Sequence, residues 1–192
     1  MMTKSIKNLT IAALLVGLGI LIPMVMPKIV LGPASYTLGS HVPLFIAMFF
    51  SPVMAIAVAL GTTLGFFISL PPVIALRAFS HIVFATIGAA YLQKNPQIVK
   101  HPVQLQIFNL VIGIIHASCE VLAVFLFAYL GNAAGTSFDR QYFLFLFGFI
   151  GLGGLIHSMI DFNIAYVVLA AIEKKVNVPV FAKERALSLA KD

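Results

Sequence analysis

The chain has no tryptophan, a single cysteine and very few charges. Charged residues make up 9% of its 192 positions, against roughly a quarter in soluble domains. With 61% hydrophobic residues and a mean hydropathy of +1.07, that scarcity excludes a soluble fold. No water-surrounded domain of this size could hide so much apolar surface, so the bilayer is the solvent. The lone Cys119 excludes an internal disulfide and any cysteine-based metal spacing. No HExxH motif is present, which removes the usual zinc-hydrolase signature. No repeat relates the two halves, so an inverted-repeat carrier has no support. The absence of a Gly/Ser linker and of a clear cleavage site after the first apolar run predicts one integral membrane domain over 1–192, with its first helix retained.

What is present is a series of apolar stretches, and their periodicity predicts an all-α, polytopic protein. Six spans are expected, at about 6–26, 41–51, 53–69, 72–92, 103–130 and 142–172. The second is only about ten residues, short of the ~20 that a crossing normally needs. The alternative is one helix kinked at Pro52. The basic residues decide between the two. With six spans, Lys4, Lys7, Lys94, Lys100, Lys174, Lys175, Lys183, Arg185 and Lys191 share one side, and only Lys28 and Arg140 lie on the other. Arg77 falls within a span. The positive-inside rule then places both termini in the cytoplasm. The net charge of +6 is therefore read as topology signal beside anionic headgroups, not as a nucleic-acid footprint. The charged tail over 173–192 is expected as an amphipathic surface helix.

Small residues recur four apart, at Ala13 and Gly17, Ala55 and Ala59, Ala57 and Gly61, and Gly61 and Gly65. Such pairs let helices approach closely in lipid, either inside the bundle or against another membrane protein.

Ionisable groups in spans are expensive and point to function by default. Three pairs stand four apart on one helix face: Arg77 with His81, His116 with Glu120, and His157 with Asp161. Arg77 lies about 8 Å below the outer end of its helix. It could anchor an anionic solute through its planar fork, snorkel outward, or pair with Glu120 or Asp161. His116, Glu120, His157 and Asp161 could serve as a metal site, a proton relay or helix-to-helix hydrogen bonds. The loop over 27–40 is long enough to lie over the outer mouth as a lid. It carries Tyr36, Thr37 and Ser40 directly into His41 at the start of the short second helix, which suggests ligand contact.

The runs Pro33-Ala34-Ser35-Tyr36-Thr37-Leu38-Gly39-Ser40-His41-Val42-Pro43 and Leu76-Arg77-Ala78-Phe79-Ser80-His81, with six spans and a long outer loop after the first, resemble the substrate-binding S components of energy-coupling factor (ECF) vitamin transporters. The resemblance covers nearly the whole chain. It implies a prokaryotic cell-membrane subunit that binds a vitamin under the first loop, in a pocket lined by helices four, five and six. It also implies docking on a membrane T subunit driven by two cytoplasmic ATPases. ATP and magnesium would be used by those partners, and this chain would be no enzyme and hold no cofactor of its own. Carried onto this sequence, the substrate-binding set is Tyr36, Thr37, Ser40, His41, Arg77, His81, His116 and Glu120. The family's alanine-x-x-x-alanine docking face has Ala13 and Gly17 as its nearest match. Met1-Met2-Thr3 lacks the Met-His start of the metal-carrying members, so no metal site or metal cargo is expected. Arg77 suggests a vitamin with a carboxylate, pantothenate or nicotinate. A stand-alone proton-coupled carrier and an intramembrane metalloenzyme are the competing classes.

Overall fold

A computed structural model describes residues 4–31, 34–131 and 137–190. Met1 to Thr3, Gly32 and Pro33 of the lid run, and Lys191 and Asp192 lie outside the described residues. Helix α1 (Lys4–Val25) leads into a hairpin of β1 (Lys28–Leu31) and β2 (Ala34–Thr37). Then come α2 (Val42–Phe50), α3 (Pro52–Ser69) and α4 (Pro72–Lys94). A 3-10 turn (Pro96–Lys100) precedes α5 (Pro102–Leu130). The last crossing is one run of α6 (Arg140–Phe145), a π-helical segment (Leu146–Gly153) and α7 (Gly154–Val176), followed by α8 (Pro179–Leu189).

Prolines set most of these boundaries. Pro52, Pro72, Pro96, Pro102 and Pro179 each open a helix, where a missing N–H costs nothing and the fixed φ suits the first turn. Ser51 caps α3 by accepting a hydrogen bond from the Met54 amide at 3.0 Å, a standard N-cap. Asn177 ends α7 in the left-handed conformation at φ 57°, a role suited to asparagine.

Among the described residues, five helical runs are long and apolar enough to cross a membrane, and α2 is not one of them. Its nine residues span only about 14 Å, roughly half of a bilayer core. It is nevertheless a separate element, not the upper arm of a kinked α3. Its last carbonyls, on Phe49 and Phe50, accept from Gln93 at the end of α4, so α2 and α4 finish together and α3 runs back between their levels. Eight of its nine residues are buried. α2 is the centre of the bundle, with Phe45, Phe84 and Phe162 packed ring to ring around it.

The start of α1 and the end of α7 lie at one end of the molecule, where the Lys7 ammonium donates to the Val176 carbonyl at 2.8 Å. α8 covers the same end. Its Phe181 stacks on Phe49, its Lys183 donates to the Gln93 side chain at 2.8 Å, and its Arg185 pairs with Glu173. The expected tail helix is therefore two pieces, with α7 carrying the chain to Val176 and α8 folding back across the bundle.

The run expected as a lid loop forms a two-stranded antiparallel hairpin, with Lys28 opposite Thr37 and Leu31 opposite Ala34. Ile29 and Val30 supply the β-branched content that favours a strand. Ala34 is buried against Leu146 and Ile150 of the π-helical segment. The small-residue pairs divide between two roles. A methyl group on Gly61 would meet Val16, and one on Gly65 would meet Ile20, so these glycines let α3 lie close to α1. Ala13 and Gly17 face away from the bundle and are exposed, with nothing near the position a Gly17 side chain would occupy.

Candidate functional site

Beneath the hairpin lies a cavity of about 130 Å³. The strand carrying Tyr36 and Thr37, the turn over Leu38–His41, and α1, α3, α4, α5 and α7 all contribute to its wall. Seven of the eight residues expected from the sequence line it: Tyr36, Thr37, Ser40, His41, Arg77, His81 and Glu120. The eighth, His116, is not among the lining residues; it lies behind His81, with the two rings 4.6 Å apart. The wall also differs from the expected one of helices four, five and six alone. α1 adds Gly19 and Pro23, and α3 adds Ala59, Thr62 and Phe66.

Two polar clusters meet at His41. In the first, Glu120 of α5, 3% exposed, accepts from Arg77 twice, Oε1 from Nε at 3.2 Å and Oε2 from Nη2 at 2.9 Å. This is the bidentate fork that guanidinium and carboxylate geometry favours. His81 Nε2 stands 3.0 Å from the same Oε1. The Arg77–Glu120 pair expected as one alternative is therefore present, and the guanidinium still borders the cavity. Its Nη1 makes no hydrogen bond among the described residues.

In the second cluster, Asp161 of α7 is fully buried and holds the start of α2. Its Oδ1 accepts from the Gly39 amide at 2.8 Å and its Oδ2 from the His41 amide at 2.9 Å. A carboxylate at a helix N-terminus is stabilised by free N–H groups and the helix dipole. Gly39 makes this grip possible. Its φ of +83° turns both amides toward one carboxylate, a conformation costly to residues with a Cβ. His157 Nε2 stands 3.1 Å from Ser40 Oγ, so α7 holds the turn at a second point. The four-residue set expected for a metalloenzyme is thus split: His116 and Glu120 belong to one cluster, His157 and Asp161 to the other.

Tyr36 fastens the hairpin. Its hydroxyl donates to the Phe149 carbonyl in the π-helical segment, a geometry that frees backbone acceptors and recurs at functional sites. Partial burial pushes the phenol above its usual pKa range, so it remains a donor. Sequence reasoning missed Lys28, Thr62 and His157 as lining residues. The sequence marks Lys28 only as an outer-side charge; as the first residue of β1 it stands at the foot of the hairpin.

An amphiphilic cavity closed by a strand lid, inside a bundle built for lipid, defines a multi-pass membrane protein that handles a small solute. Over 184 residues, 95% of this chain and 82% of its counterpart, the sequence is 50% identical to the niacin transporter NiaX of Lactococcus lactis subsp. cremoris (strain MG1363). The chain belongs to the family of this transporter. No protein-family model matches it, and no solved structure does.

Proposed function

We propose that the chain is the membrane-embedded S component of an ECF-type transporter and captures niacin from the outer face for ATP-driven uptake. The observation that carries this reading is the near full-length 50% identity to a niacin transporter, joined to a small cavity bordered by Arg77 and Lys28. About 130 Å³ is well under the roughly 300–1,000 Å³ of sites for drug-sized ligands, so the cargo is compact. A single aromatic ring with one carboxylate fits that description better than the longer, branched pantothenate. The carboxylate goes to the free edge of Arg77 and to Lys28, and the ring nitrogen accepts from Ser40 or Thr37. Glu120 does not face the anion as a bare charge, because Arg77 and His81 already hold it. The termini, α8 and the basic connection after α4 lie in the cytoplasm, and the hairpin lies outside.

Release toward the cytoplasm requires partners: a membrane T subunit and two ATPases, which consume ATP and magnesium. The exposed Ala13 and Gly17 of α1 supply a smooth face for the T subunit. The chain itself catalyses no reaction.

The test is equilibrium binding to the purified chain in detergent, without ATP. Nicotinate is expected to bind saturably, nicotinamide at least about tenfold more weakly through loss of a charge-assisted bond, and pantothenate not at all. Equal affinity for nicotinate and nicotinamide would refute the cationic anchor, and absence of nicotinate binding would refute the cargo.

A further inference from the structure

We propose that His41, His81, His116 and Glu120 form a binding site for one divalent transition-metal ion, of the zinc or cobalt type, behind the cavity. Their donor atoms all lie within 4.8 Å of one another. The three imidazole rings pack mutually, His41 to His116 at 4.7 Å, His81 to His116 at 4.6 Å and His41 to His81 at 5.0 Å. Three imidazoles and one carboxylate are a natural donor set for zinc and its neighbours, with bonds near 2.0–2.2 Å. Donors around such an ion stand about 3.4 Å apart, so the set closes by small side-chain rotations.

Two further observations point to an ion rather than to an ordinary polar network. His116 Nε2 is buried and has no hydrogen-bond partner among the described residues, while it faces Glu120 Oε1 at 3.7 Å. An imidazole nitrogen left without a partner in a buried site is costly unless something binds it. In two of the three histidines the opposite nitrogen is already held, as is usual for metal-ligating histidines. Ser158 Oγ stands 2.9 Å from His116 Nδ1, and Asp161 Oδ2 stands 3.3 Å from His41 Nδ1, which leaves Nε2 of each for the ion. Phe84 stacks on His116 and seals the inner side with apolar surface. On binding, Glu120 Oε1 turns from Arg77 Nε to the ion, and Oε2 keeps its bond to Nη2. The ion would fix His41 and His81, both of which border the cavity.

The experiment is a titration of the chelator-treated, full-length chain in detergent with Co²⁺, then with Zn²⁺, and with no vitamin present. One Co²⁺ per chain is expected, with the visible ligand-field bands of a four-coordinate site, lost on addition of Zn²⁺. Ser158→Ala, which removes only the support of His116, should weaken Co²⁺ binding by roughly tenfold. His116→Gln and His41→Gln should each weaken it further, with helical circular dichroism unchanged, and His101→Gln outside the cluster should not. If one variant fails to fold, the other carries the comparison. No Co²⁺ spectrum in the parent chain, or a spectrum that survives the folded histidine variants, overturns the site. Because the titration contains no vitamin, its failure leaves niacin capture standing, and failure of nicotinate binding leaves the ion site standing.

Discussion

Arg77 and Glu120 are the residue pair on which the site turns, since each is the other's reason for being tolerated. Glu120 is almost fully buried and takes two hydrogen bonds from one guanidinium. Breaking a buried pair by removing one partner costs roughly 3–5 kcal/mol, whereas replacing both with apolar residues of similar volume is often neutral. Arg77→Met alone is therefore expected to lose roughly 3–5 kcal/mol of stability, and Arg77→Met with Glu120→Met to regain most of it. Nicotinate binding stays lost in both. Thermal unfolding in detergent beside a binding isotherm checks this, and binding by the double variant would show that the guanidinium is only structural. The helical spacing of His116 with Glu120 made a shared face legible in the sequence. The pairing of Arg77 with Glu120 across 43 positions was one of several open alternatives, because no local pattern says which helices will be neighbours.

Among the elements, the hairpin over the cavity depends most on its neighbours. Lys28–Leu31 and Ala34–Thr37 are only four residues each, too small a ribbon to be stable alone. It is held by Tyr36 on Phe149, by Ala34 against Leu146 and Ile150, and by Asp161 on the Gly39–His41 turn. Gly39→Ala forces a side chain into a left-handed backbone at about 1–2 kcal/mol. The expected result is faster nicotinate release, by roughly tenfold, read in a stopped-flow displacement experiment, with an unfolding temperature lowered by only a few degrees. The loop's Gly, Pro and Ser content hid its strands, because turn-forming residues outnumbered β-branched ones. Its polar residues were nonetheless legible as a group, since four of them run straight into a helix start, and all four line the cavity. The spacing of His157 with Asp161 made that pair legible, and they stand 3.5 Å apart; the grip of Asp161 on the Gly39 and His41 amides was not, because backbone partners leave no trace in a side-chain pattern.

For the molecule as a whole, the basic residues gather at the end where Lys7 meets Val176 and Lys183 meets Gln93. Lys28 stands at the opposite, hairpin end with Tyr36 and Thr37. The spans beginning at Pro52, Pro72 and Pro102 were legible to within a residue, because proline and hydropathy agree there. What hydropathy could not convey is that α2 owes its place to neighbours and not to its own length. The orientation is checked in a Cys119→Ala background with a cysteine placed at Arg140 or at Lys183. A membrane-impermeant thiol reagent applied to intact cells is expected to label the cysteine at 140 and to spare the one at 183. The reverse labelling would turn the molecule over and put the hairpin in the cytoplasm.

The shortness of α2 bears on how the protein is made. A nine-residue segment is too brief to be inserted as a stable crossing when it leaves the ribosome. The groups that surround it, on α4, α7 and α8, are synthesised later, and the carboxylate that caps its first turn follows about 120 positions downstream. α2 must wait for α7 before it can settle. Order of synthesis and order of assembly therefore differ in this chain, and a nascent chain halted before Asp161 would hold its central helix without the cap that anchors it.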